Sequence, residues 1–156
     1  MAEGVEAKLS DLGLSLPEPV KPVASYVPSV ATGGLLFVSG QLPFQEGGPM
    51  KGQLSAVSGE AEKHAAAKAA QLCGLHLLAQ VKAALGTLDR VTRVVKLTGF
   101  VNSTGDFTGQ PAIVNGCSDL MVAVFDEAGQ HSRSAVGVAA LPLGAVVEVE
   151  GIFEVS

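Results

Sequence analysis

The last third of the chain holds the residues best suited to chemistry. Arg133 sits at the head of an apolar run, HSRSAVGVAAL, residues 131–141. A guanidinium stays protonated and presents a planar fork of donors that matches a carboxylate or phosphate. The competing reading is a strand-end arginine in a surface salt bridge. Glu148 and Glu150 follow in VVEVEGIFEV, residues 146–155. Period two puts both acids on one face of a strand, opposite Val147 and Val149. Two acids on one face repel each other unless they are paired or solvated. An acid pushed into a cleft has its pKa raised, as an acid/base group requires; a solvated edge would leave it ordinary. His64, His76 and His131 have no His or Cys partner at metal-ligand spacing, so no metal site is expected. There is no GxGxxG, GxxxxGK[ST] or GxSxG, so neither a phosphate cradle nor a nucleophile elbow is predicted. Cys73 and Cys117 are far apart and outside any CxxC, which reads as reduced, buried thiols of a cytosolic protein.

Residues 3–12 suit a short amphipathic helix. Pro17, Pro19 and Pro22 then enforce an extended connector, so residues 1–22 read as an arm and 23–156 as the main domain. Tyr26–Val30 and Leu35–Ser39 are β-rich and flank a turn at Ala31-Thr32-Gly33-Gly34. Residues 45–52 read as loop or ragged strand. An Ala-rich stretch from Ser58 to Leu85, stopped by Gly86, predicts a long helix with one broad apolar face. Arg90–Asn102 alternates with period two, placing Val91, Arg93, Val95, Leu97, Gly99 and Val101 on one side. A second helix is expected over Gln110–Glu127, with Pro111 in its first turn. Strands at Ser134–Leu141 and Ala145–Val155 flank a turn at Pro142-Leu143-Gly144. The order ββ–α–β–α–ββ is an α+β layout, helices on one face of a mixed sheet.

A chain of 156 residues suits one domain, large enough for a core without staples. Charged residues are only 16% against about 25% in typical globular proteins. That argues against disorder and coiled coil, and it leaves apolar surface that self-association would hide. A net charge of −5, no basic run and 4% aromatics count against nucleic-acid binding. The longest uncharged stretch holds three Pro and three Gly, so it is no membrane span, and the N-terminus does not read as a secretory signal.

Together the segments RSAVGVAALPLGAVVEVEGIF, LLFVSGQLP, VVKLTGFVNSTGDF and the VNG of the second helix resemble the Rid (reactive intermediate deaminase) or YjgF-like family, also labelled endoribonuclease L-PSP, over residues 24–155. The Pro-rich arm resembles that of a longer bacterial subgroup. The resemblance implies a chorismate-mutase-like α+β fold with two helices on one face of the sheet. It implies a homotrimer with clefts between subunits and no cofactor. The implied reaction is hydrolysis of 2-aminoacrylate or 2-iminopropanoate, released by pyridoxal-phosphate enzymes, to a 2-keto acid and ammonia. By the same resemblance Arg133 grips the substrate carboxylate and Glu148 holds the attacking water. Tyr26 lies near the cleft mouth, Gly40 offers its carbonyl to the substrate nitrogen, Asn115 lines the cleft, and the Ala135 amide assists with the carboxylate. Two positions depart from the family pattern: His131-Ser132 replaces Pro-Ala before the arginine, and Ser118 replaces a tyrosine three residues after the helix asparagine. They keep a non-catalytic binder of small carboxylates in view; a ribonuclease is the least favoured alternative.

Overall fold

A computed structural model describes residues 3–156. Five strands form one sheet in the order β1-β2-β7-β5-β6. Their ranges are β1 Ser29–Thr32, β2 Leu35–Gln41, β5 Val91–Asn102, β6 Ser132–Val138 and β7 Val147–Val155; β3 (Phe44–Gln45) and β4 (Gly48–Pro49) make a separate small hairpin. Strand β6 runs parallel to β5, and the other pairings of the large sheet are antiparallel, so the sheet is mixed. The helices are α1 Val5–Asp11, α2 Glu60–Leu85 and α3 Gln110–Phe125.

Helices α2 and α3 cover one face of the sheet. Leu36, Val38, Leu97, Val101, Val149 and Phe153 point from that face into the core. The other face lacks a helix. It carries the row Val30, Phe37, Ile152, Lys96 and Ser132 from β1 to β6, followed by Glu150 opposite Thr98 and Glu148 opposite Phe100. Val30, Phe37 and Val136 are exposed there.

Several local expectations are corrected. The first strand begins at Ser29 and leaves out Tyr26, because Pro28 has no N–H for the ladder. Its turn is the two-residue Gly33-Gly34, with φ 55° and 80°, closing a hairpin in which Thr32 opposes Leu35. Helix α2 starts at Glu60, after Gly59, and α3 ends at Phe125, giving way to a 3-10 turn over Asp126–Gly129. Nor has α2 a single apolar face: every residue from Cys73 to Val81 is buried. The sheet, α3 and the N-terminal segment surround that part of the helix. In β5, irregularities at Val91/Arg93 and Val94/Lys96 shift the alternation. The fully buried residue is therefore Val94 rather than Arg93 or Val95, and from Leu97 to Val101 period two resumes.

The N-terminal segment is tied to the body. Val5 N donates to Asp89 Oδ1 (2.8 Å), Leu88 N donates to Glu6 Oε1 (3.1 Å), and Leu9 is buried. Further on, the buried Gln80 donates through Nε2 to the Val20 carbonyl at 2.8 Å. The first two residues of the expected arm lie outside the described residues.

Candidate functional site

The six residues singled out in the sequence separate into two groups on opposite faces of the sheet. Glu148 stands on the helix-free face of β7, half-buried, in a pocket of about 150 Å³. Tyr26, Gly40 and Pro142 line that pocket with Val20 and Lys21 of the N-terminal segment. Gly40 falls where the pairing of β2 with β7 is irregular, between Val38 and Gln41. A Cβ at Gly40 would lie 2.5 Å from Glu148 Oε1. The glycine therefore makes room for the carboxylate itself, which the sequence reading did not foresee. Burial raises the Glu148 pKa above the usual carboxylate value, and the charge of Glu150 raises it further. Tyr26 is 56% exposed at the pocket edge.

Arg133 belongs to the other face. It pairs with Leu97 across the parallel β5–β6 ladder, so its side chain starts on the helix side of an edge strand. Helix α3 is the crossover between those two strands and lies over this edge. Asn115 and Ser118, one turn apart on α3, meet the guanidinium. Arg133 Nη1 donates to Asn115 Oδ1 (2.7 Å) and to Ser118 Oγ (3.2 Å). The surface salt bridge weighed for Arg133 does not form: among the described residues no carboxylate is within ion-pair distance of it. Ala135, two residues on, pairs with Gly99.

Residues not expected to take part complete this group. His131 Nε2 lies 2.9 Å from Ser118 Oγ, and its Nδ1 lies 2.6 Å from the Gly129 carbonyl. The two departures noted in the sequence thus touch each other and Arg133. The available signal was period two, which puts His131 and Arg133 on one side of a strand. On the Glu148 side, Gln41 of the SGQ segment went unnoticed. Its Nε2 donates to the Ser39 carbonyl (3.0 Å), and its Oε1 accepts from Gln80 Nε2 (3.4 Å), the same amide that holds Val20.

The thiols take no part. Burial pushes Cys117 up to about 12 despite the opposing pull of Arg133, and burial also raises Cys73, so neither is a thiolate at neutral pH. His76 is buried and donates through Nε2 to the Phe44 carbonyl (2.9 Å), while its Nδ1 has no partner among the described residues. His64 is exposed. No group of three metal-ligating side chains occurs among the described residues.

A mixed sheet with two helices on one face, an arginine at the head of β6 and a glutamate on β7 define a small chorismate-mutase-like α+β protein. The chain belongs to the family described as "YjgF/chorismate mutase-like, putative endoribonuclease", whose model matches residues 6–154. It is 51% identical to protein TCP17 of Trypanosoma cruzi, over 97% of this chain and 94% of that protein. Among solved structures, protein Atu1372 of Agrobacterium tumefaciens, of unknown function, has 43% identity and a TM-score of 0.86 over 97% of this chain and 93% of that one. RidA from the Antarctic bacterium Psychrobacter sp. PAMC 21119 has 29% identity and a TM-score of 0.57, over 88% and 94%. No helix among the described residues is long and apolar enough to cross a membrane.

Proposed function

We propose that this protein hydrolyses reactive 2-imino acids of the 2-aminoacrylate/2-iminopropanoate type to 2-keto acids and ammonia, in clefts between the subunits of a homotrimer. The observation that carries the reading is the state of Arg133. Its charge is held by two neutral oxygens, from Asn115 and Ser118, and by no acid among the described residues, which leaves it able to pair with an anion. Glu148 supplies the complementary group: a half-buried carboxyl with a raised pKa, suited to holding water and passing a proton.

A single chain puts these groups on opposite faces of its sheet. The edge strand β6 of one copy, docked against the Glu148 face of the next, brings them together. In that cleft Arg133 binds the substrate carboxylate, with the Ala135 amide beside it. Glu148 takes a proton from water as the oxygen adds to C2 and passes it to the imine nitrogen, giving a neutral carbinolamine. Glu148 then takes the hydroxyl proton and delivers it to the amino nitrogen as the C–N bond breaks, so the 2-keto acid and ammonia leave and the carboxylate is restored. Tyr26 and the Gly40 carbonyl fix the nitrogen end of the substrate. A pocket of about 150 Å³ suits a ligand of a few heavy atoms, well below the roughly 300–1,000 Å³ of drug-sized sites.

The test generates 2-aminoacrylate in situ with a pyridoxal-phosphate lyase acting on serine and adds semicarbazide as a competing trap. The wild-type protein is expected to divert the intermediate to pyruvate and lower the semicarbazone yield, and Arg133→Ala to lose that effect. Equal activity of the variant, or no diversion by wild type, overturns the reading. Stabilisation by 2-keto acids without turnover would replace hydrolysis with binding.

A further inference from the structure

We propose that Ser118 and His131 are positioning residues for Arg133, fixing which edge of its guanidinium meets the ligand. The inference rests on the reading of Arg133 as a carboxylate anchor. The contacts give a direction to each proton. The Gly129 carbonyl can only accept, so His131 Nδ1 carries the hydrogen across the 2.6 Å contact. In the neutral ring Nε2 is then an acceptor, and the group facing it at 2.9 Å is Ser118 Oγ, which donates. The Ser118 hydroxyl is thereby locked with its hydrogen toward His131 and a lone pair toward Arg133 Nη1, at 3.2 Å. Asn115 Oδ1 accepts the other Nη1 hydrogen at 2.7 Å.

Both hydrogens of Nη1 are then committed to α3. The Nε and Nη2 donors make no hydrogen bond within the described residues, and they form the side-on edge that accepts a carboxylate in two parallel bonds. Without His131 the Ser118 hydroxyl rotates freely, and orientations that aim its hydrogen at the guanidinium weaken the hold. Without the Ser118 oxygen one Nη1 hydrogen is released, and the plane of the guanidinium turns about its remaining tie to Asn115. In either case the loss falls on carboxylate recognition and not on the fold, since Ser118 and His131 are only partly buried.

The experiment measures binding of pyruvate and of its neutral analogue pyruvamide to the full chain by calorimetry. Ser118→Ala and His131→Leu are each expected to weaken pyruvate about tenfold to a hundredfold, the worth of one hydrogen bond to a charged group, and to leave pyruvamide unchanged. Ser118→Thr, which keeps the hydroxyl, and His131→Gln, which keeps an acceptor, are expected to restore wild-type preference for the anion. An unchanged pyruvate-to-pyruvamide ratio in both Ser118→Ala and His131→Leu, with Arg133→Ala abolishing it, overturns the positioning role and leaves the carboxylate reading standing. A ratio unmoved by Arg133→Ala, or no pyruvate binding by the wild type, overturns the carboxylate reading and this inference with it.

Discussion

In the proposed reaction, Glu148 is where chemistry and stability pull against each other. Its folded pKa is raised, by burial first and by Glu150 second. A carboxyl raised in this way stabilises the fold fully below its unfolded pKa, about 4.3, and loses that contribution as pH rises through the folded value. Glu148→Gln is neutral throughout. It is expected to match wild type in Tm near pH 4 and to exceed it by about 1–3 °C at pH 7–8, while losing roughly 100-fold in imine hydrolysis. Thermal melts at the two pH values and the trapping assay check both halves. His76 has the opposite sign. Burial lowers its pKa, so its contribution is present above its unfolded value, near 6.5, and lost as pH falls toward the folded one. At this scale the sequence was partly legible. Residue type singled out Arg133 and Glu148, and period two put Glu148 with Glu150 on one face of their strand. The contact of Ser118 with His131 was not readable, because it depends on how far α3 overhangs the edge of β6.

Among the elements, α2 and α3 set the position of Asn115 and hence of Arg133. They pack backbone to backbone through small residues. A Cβ at Gly116 of α3 would fall onto the Ala67 carbonyl of α2, and one at Gly74 of α2 would lie 2.8 Å from Leu120 Cδ2 and 3.0 Å from Cys117 Sγ. Gly116→Ala is expected to cost about 3 kcal/mol, at the upper end for overpacking, which corresponds to a Tm lower by about 6–12 °C. Gly105→Ala, whose Cβ meets open space, is expected to leave Tm unchanged. Gly105 lies in a turn, so differential scanning calorimetry on both separates close packing at Gly116 from the general effect of exchanging glycine for alanine. Helix propensity and Gly86 made α2 legible as a helix. Its burial on all sides was not, since the residues that surround it come from β7, α3 and the N-terminal segment, all distant in sequence. The same holds for β5: Val91, Leu97, Gly99 and Val101 read correctly as sharing one side, whereas Arg93 and Val95 did not. The irregularities that turn Val94 inward are fixed by pairing with β7 and leave no mark on β5's own pattern.

For the whole molecule, the low charge content has a physical location. Val30, Phe37 and Val136 lie exposed on the helix-free face, and β6 is an unpaired edge beside it. In the proposed trimer, association through that surface hides both and completes the site. Phe37→Glu, 41% exposed in the single chain and so tolerated by its fold, is expected to shift the protein to monomer in analytical ultracentrifugation and to abolish imine hydrolysis. Wild-type activity from a monomeric variant would mean that one chain suffices. The most direct test of a shared site is complementation. Arg133→Ala and Glu148→Ala are each inactive on this account. Unfolded together and refolded as a mixture, they form trimers in which about a quarter of the clefts join an intact Arg133 from one chain to an intact Glu148 from the next. The mixture is expected to recover about a quarter of wild-type 2-aminoacrylate hydrolysis. A mixture as inactive as its parents would contradict a site built from two copies of this chain.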